Sequence, residues 1–137
     1  MRRSHLHLLS VSALVLAGVS VSCQTAEHSG NGYRLEHRSR PSSGFEGRRH
    51  WQELYYGSTR VGSVGQYSIS PTGRFAVFED NGSLRLFDRR TSKTTDVTDG
   101  TFALPKSFEW HEDAGTLRIN YYDGNHDPST IRLPASR

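Results

Sequence analysis

The stretch that decides the fold reads Tyr67-Ser-Ile-Ser-Pro-Thr-Gly-Arg-Phe-Ala-Val-Phe78, and it continues through an Asn81-Gly82 pair into Ser83-Leu-Arg-Leu-Phe-Asp88. Apolar and polar residues alternate in these runs with the period of two that is typical of β-strands. An Asn-Gly pair between two such runs is a strong hairpin signal, because both residues tolerate a positive φ angle. The stretch therefore predicts antiparallel strands joined by tight turns.

Alternation of the same kind continues toward the C-terminus. Leu117 and Ile119 share one face of a further strand, and the turn dipeptides Asp99-Gly100 and Asp123-Gly124 lie before and after it. No segment beyond the N-terminal apolar run has a helical period. We therefore expect residues 50–137 to form an all-β, antiparallel domain of about seven or eight strands.

An internal repeat runs through this domain. Tyr67–Phe78 aligns with Phe108–Ile119, and Gly73 then falls opposite Gly115. Aromatic, apolar, turn, glycine and again apolar positions recur in the same order. A period of roughly 40 residues in an all-β chain is what four-stranded propeller blades produce.

The first copy, with its Ser70-Pro-Thr-Gly73 turn and its Asn81-Gly82 hairpin, resembles one WD40-like repeat of the periplasmic TolB propeller family. The resemblance implies two blade-like repeats, over residues 65–100 and 106–134, although Thr72 stands where the family usually has Asp. Two blades cannot close a propeller, which needs about four or more. We expect either a compact monomer built from a pair of packed sheets or an oligomer whose chains cover one another's strand edges.

The N-terminal region has the order of an export signal. Arg2 and Arg3 precede an uncharged apolar run over residues 8–21. This run is too short for a permanent bilayer-spanning helix, which needs roughly 20 residues. The single cysteine, Cys23, follows at once, and Ser20-Val-Ser-Cys23 resembles the lipobox of bacterial lipoproteins, with Ser20 in place of the usual aliphatic residue.

The lipoprotein resemblance implies cleavage of a signal peptide at residues 1–22 and attachment of lipid to Cys23. Gln24, rather than Asp, after the cysteine implies sorting to the outer membrane, facing the periplasm, where the organism has one. Residues 23–49 are polar and are predicted to be the lipidated N-terminus and a flexible tether. The basic residues of this tether either contact anionic lipid headgroups or belong to a soluble linker; they are Arg34, Arg38, Arg40, Arg48 and Arg49.

Composition limits the chemistry of the chain. It contains 17 Lys and Arg against 14 Asp and Glu, and removal of the signal peptide leaves a nearly neutral protein, so nucleic-acid binding is not expected. Ser63 lacks the preceding glycine that a nucleophile elbow requires. No cofactor or metal is expected. His111 and His126, each near carboxylates, support the rival hypothesis of a small envelope hydrolase or metal-dependent enzyme.

Pairs of adjacent tyrosines suggest where a partner binds. In Tyr55-Tyr56 and in Tyr121-Tyr122, one ring falls on each face of a strand. We expect Tyr56, Phe87 and Tyr122 to be exposed and to contact a protein partner or a glycan, with cross-strand packing of the rings as the alternative. The favoured interpretation is a non-enzymatic envelope lipoprotein that presents a small β-domain for protein binding. One version is an immunity or inhibitor lipoprotein that neutralises a toxin or hydrolase.

Overall fold

The computed structural model describes residues 25–42, 47–98 and 104–135, with the backbone alone for residues 25–30. The signal segment, Cys23 and the Asp99-Gly100 turn lie outside the described residues, so the predictions made for them stay predictions.

The described chain forms three antiparallel sheets, in which each strand pairs with its neighbours in sequence. The N-terminal sheet contains β1 (Thr25–Gly30), β2 (Tyr33–Pro41), β3 (Arg48–Tyr56) and β4 (Thr59–Val64). The central sheet contains β5 (Tyr67–Ile69), β6 (Phe75–Asp80), β7 (Ser83–Asp88) and β8 (Lys93–Asp96). The C-terminal sheet contains β9 (Pro105–His111), β10 (Thr116–Tyr121) and β11 (Ser129–Arg132), and a 3₁₀ turn, Glu112–Ala114, joins β9 to β10.

The prediction of an all-β antiparallel fold is confirmed, but the strands are more numerous than expected because β1 and β2 lie in the segment predicted to be a flexible tether. That prediction is wrong for Tyr33–Pro41. Tyr33 and Leu35 are only 1% and 2% exposed, and they pair across the sheet with Tyr56 and Leu54. The charged residues that alternate with them lower the mean hydropathy of the segment. A strand with one apolar face therefore has the average composition of a polar linker.

The central sheet is covered on both faces, so the molecule has three layers rather than two. Phe75 and Val77 of β6 belong to a core cluster with Leu117 and Ile119 of the C-terminal sheet. The intervening residue Ala76, together with Phe78 and Phe87, belongs to a second cluster that includes Tyr33, Leu35 and Leu54 of the N-terminal sheet. Alternate residues of the same strand therefore fill two separate cores.

The two copies of the internal repeat have matching turns. Asn81 and Gly82 have φ angles of 49° and 83°, as a type I′ hairpin requires. Gly73 and Gly115, which the repeat aligns, also have positive φ angles, of 75° and 67°. At Gly73 a side chain is excluded for a second reason, because a Cβ atom would lie 2.5 Å from the Cβ atom of Asn31.

The two copies contact each other between the sheets. Trp110 donates its indole N–H to the Ser68 hydroxyl at 2.9 Å, and the Thr72 backbone N–H donates to Glu112 Oε1 at 3.0 Å. The first copy contains four strands and the second contains three. The repeat therefore describes two adjacent sheets whose turns meet at the same end of the strands.

Candidate binding surfaces

A cleft of about 580 Å³ lies between the central and C-terminal sheets. Its lining comes from the β5–β6 turn, the β7–β8 turn, the 3₁₀ turn and the segment after β11, and includes Thr72, Arg74, Arg89, Arg90, Glu112, Asp113 and Leu133. The volume lies within the range of roughly 300–1,000 Å³ that is usual for ligand pockets. We call this end of the strands the cleft end.

Several charged groups of the cleft are already engaged within the protein. Arg74 contacts the buried Asp88 carboxylate through Nε at 3.3 Å and Nη2 at 3.1 Å, and Nη2 also donates to the Ala135 carbonyl at 3.1 Å. Glu112 accepts hydrogen bonds from both the backbone N–H and the hydroxyl of Thr72. Arg74, Asp88 and Glu112 therefore hold the turns and the C-terminal segment together.

Two other guanidinium groups of the cleft have no carboxylate partner within the described part of the chain. Arg89 lies over the Tyr56 ring, 5.6 Å from its centroid, and Arg90 is exposed. The neighbouring Asp113 is also exposed and forms no ion pair with a described residue. Because Glu112 and Arg74 are engaged, the groups left for a ligand carry two positive charges and one negative charge. The cleft therefore favours an anionic group, such as a carboxylate.

The second surface is the outer face of the N-terminal sheet, which faces away from the central sheet. Arginines alternate there with the buried residues of β2, and aromatic rings lie opposite them on β3. Arg34 lies 4.9 Å from the Tyr55 ring centroid, and Arg40 lies 5.9 Å from that of Trp51. We call this surface the arginine–aromatic face; it comprises Arg34, Glu36, Arg38, Arg40, Arg49, Trp51, Glu53, Tyr55 and Arg60.

Glu53 organises the centre of the arginine–aromatic face. Its carboxylate accepts hydrogen bonds from the Tyr55 hydroxyl at 2.8 Å, from Trp51 Nε1 at 3.2 Å and from Arg60 Nε at 3.3 Å. Burial alone would raise the pKa of Glu53, but these hydrogen bonds and the charge of Arg60 outweigh it and lower that pKa. Burial and the hydrogen bond to Glu53 raise the pKa of Tyr55. The face is therefore an ordered network.

At one end of this face two arginines are left outside the network. Arg40 and Arg49 are directly opposite each other in the β2–β3 register, and both are exposed. Neither forms an ion pair with any residue in the described ranges. Like charges directly opposite on adjacent strands are destabilising. This arrangement favours an anionic partner that approaches both guanidinium groups.

The predicted partner-binding aromatics have three different environments. Tyr122 is 61% exposed, as expected, and its contact with a partner stays a prediction. The expected exposure of Phe87 is wrong, since Phe87 is 1% exposed. Tyr56 is also placed differently from the prediction, because its ring packs between the N-terminal and central sheets, 5.0 Å from that of Tyr33. Tyr55, not Tyr56, lies on the outer face.

The structure separates the two histidines of the rival enzyme hypothesis. His111 ends β9 at the cleft end, where it pairs with Thr116, whereas His126 follows β10 and its ring lies 5.2 Å from that of Tyr121. The six residues of β10 separate these two loops, a span of roughly 20 Å. No group of three or more His, Cys, Asp or Glu side chains suited to a metal ion occurs in the described ranges. A site that combines His111 with His126 is therefore ruled out.

Sequence reasoning missed both the cleft and the Arg40–Arg49 pair. The signal for the cleft was the Arg89-Arg90 dipeptide directly after a strand, beside the repeated glycine turns. The signal for the arginine pair was weaker, because it depends on the register between β2 and β3.

Comparisons of the chain with known protein families, with curated proteins and with solved structures find no match. None of the described segments is a helix of the length and hydropathy needed to cross a bilayer.

Proposed function

We propose that this chain is an exported, non-enzymatic lipoprotein, attached to the membrane through Cys23, whose β-domain binds a protein partner. The observation that carries the binding role is the cleft, with two guanidinium groups that have no carboxylate partner among the described residues. Arginine is enriched among the residues that dominate protein interfaces. The partner would supply an acidic side chain or a terminal carboxylate to Arg89 and Arg90.

The position of the cleft suits an anchored binding domain. The strand that continues toward Cys23 is β1, and it begins at Thr25, opposite His37 near the middle of β2. The β1–β2 turn, and with it Asn31, lies beside Gly73 at the cleft end. The chain therefore runs away from the attachment point toward the cleft, which supports presentation of the cleft on the side away from the membrane.

The rigidity of the cleft also supports a binding role. Arg74 joins the central sheet to Ala135, and Thr72 joins the β5–β6 turn to the 3₁₀ turn. A surface whose elements are already held in place loses less conformational entropy when a partner binds.

Affinity capture from the envelope of the producing cell tests this function. We expect the tagged, full chain to recover a specific partner, and the Arg89→Ala/Arg90→Ala variant to bind it about tenfold more weakly or worse, because interface arginines often contribute more than about 1 kcal/mol each. The matched control is Arg118→Ala, which removes a half-exposed arginine from the outer face of the C-terminal sheet. Equal capture by the double variant would contradict binding at the cleft, and recovery of no specific partner by the wild type would contradict the binding function.

A further inference from the structure

The arginine–aromatic face is the part of the described domain closest in sequence to the proposed lipid anchor. Only Gln24 separates Cys23 from the first residue of β1. Because two residues span at most roughly 7 Å, a domain anchored at Cys23 would sit within about one Debye length, roughly 8 Å, of the bilayer surface. A flexible tether over residues 23–49 would have let the domain move beyond the electrostatic field of anionic lipids. With β1 beginning at Thr25, a domain anchored at Cys23 would stay within that field.

The strand register places the anchored strand end beside the unpaired arginines. Thr25 pairs with His37 of β2, three residues before Arg40. Arg40 in turn pairs with Arg49 of β3. The strand end that leads toward Cys23 is therefore roughly 10 Å along the sheet from this pair.

The charge and composition of the face match a lipid surface. Its five arginines exceed the two carboxylates, and Glu36 and Glu53 are both engaged: Glu36 with Arg34 and Arg38, and Glu53 with Arg38 and Arg60. Trp51 lies under Arg40, and tryptophan and arginine are residues favoured at membrane–water interfaces. The net positive charge of the face is concentrated at Arg40 and Arg49, neither of which forms an ion pair with a described residue. The carboxylate of Asp80 lines a concavity of about 270 Å³ together with both arginines, and it lies 3.7 Å from Arg85 Nε.

We propose that the Arg40–Arg49 end of the arginine–aromatic face docks on anionic phospholipid headgroups beside the acyl anchor. The proposal takes one element from the proposed function, the lipid anchor at Cys23, and does not depend on partner binding at the cleft. Docking fixes the orientation of the domain, since β2 runs from Arg40 back to Tyr33 at the cleft end, a distance of roughly 25 Å. The cleft is then held off the bilayer on the opposite end of the N-terminal sheet.

The test measures vesicle binding without the lipid anchor. The mature chain, residues 23–137 with Cys23→Ser, is sedimented with vesicles of phosphatidylcholine containing phosphatidylglycerol and, separately, with phosphatidylcholine alone. We expect binding only to the anionic vesicles, weakened by added salt. Each basic residue near an anionic surface contributes about 1 kcal/mol, so Arg40→Ala/Arg49→Ala should reduce vesicle affinity roughly 30-fold.

The matched control is the cleft variant Arg89→Ala/Arg90→Ala, which removes the same charge from the other end of the molecule and should bind vesicles like the unsubstituted chain. Equal losses for the two variants would show that only net charge matters and would overturn the docking site. Vesicle binding unchanged in Arg40→Ala/Arg49→Ala, with loss of partner capture instead, would assign the face to an acidic protein and also overturn the proposal. Loss of acylation at Cys23 would overturn the anchor but leave this vesicle measurement interpretable.

Discussion

Glu53 shows how a single carboxylate orders a surface of arginines and aromatic rings. It lies between Tyr55, Trp51 and Arg60, and its side chain is 13% exposed. Hydrogen bonds to an ionised group are stronger than those between neutral groups. Without this carboxylate, Tyr55, Trp51 and Arg60 would lose the hydrogen-bond acceptor that they share.

We predict that Glu53→Gln lowers the free energy of unfolding by about 1–2 kcal/mol at neutral pH, because it removes charge-assisted hydrogen bonds at a largely buried site. The pKa of Glu53 in the folded state lies below its ordinary value of 4.5. Its stabilisation is therefore fully present above that pH and is lost as the pH falls through the lowered, folded-state pKa. Urea unfolding at neutral and acidic pH should show the two proteins converging in acid.

The control for this prediction is Glu109→Gln, since Glu109 is 52% exposed and its nearest cation, Arg118, is 3.7 Å away. An exposed pair of this kind contributes little. A difference between wild type and Glu53→Gln that persists undiminished in acid would contradict the assigned role of the charge.

The exposure of individual residues was predicted correctly from the sequence where a strand has one buried face, and wrongly where both faces of the strand are buried. Tyr121 and Tyr122 fall on opposite faces as predicted, buried and exposed. Phe87 follows Leu86 and was expected to face solvent, but the central sheet is covered on both sides and buries both residues. A period of two identifies the faces of a strand but does not state which faces another sheet covers.

At the scale of elements, β2 is the largest departure from the sequence-based expectation. Its exposed side carries charges, while Tyr33 and Leu35 enter the core between the N-terminal and central sheets. The average composition of the segment indicated a tether, because the apolar residues on one face of the strand are too few to raise its mean hydropathy. The partners that bury them, Leu54 and Tyr56, lie in another strand.

We predict that Leu35→Ala destabilises the protein by about 2–5 kcal/mol, because it leaves a cavity among fully buried side chains. A residue of a flexible tether would tolerate the same change within about 0.5 kcal/mol. Leu104→Ala is the matched control, since Leu104 is 51% exposed. Chemical denaturation followed by tryptophan fluorescence measures the stability of both variants. Equally small effects of Leu35→Ala and Leu104→Ala would contradict the burial of Leu35 and support the flexible tether predicted from the sequence.

The turns were the elements best predicted from sequence. The Asn81-Gly82 hairpin and the equivalence of Gly73 with Gly115 are both found, because each depends on local backbone conformation alone. The cleft that these turns form could not be predicted, since it requires the 3₁₀ turn and the segment after β11 to converge on Arg74.

At the scale of the whole molecule, three layers replace the expected two. The outermost faces carry charged and polar residues, including Arg38 and Glu53 on one side and Arg118 and Glu109 on the other. Polar outer faces end a stack of sheets without a further layer, as terminal repeats do in other repeat proteins.

The proposed arrangement gives the two ends of the N-terminal sheet different roles. Arg40 and Arg49 would face lipid beside the anchor, and Arg89 and Arg90 would face a protein partner at the cleft end. Attachment at Cys23 would hold the domain at the membrane and would determine which end is available to a partner.

Incorporation of radiolabelled palmitate in the producing cells tests attachment of the protein to the membrane through Cys23. The wild-type chain should acquire label and be recovered in the membrane fraction, and the Cys23→Ser chain should acquire none. A wild-type chain that is exported without label would contradict lipid attachment at Cys23.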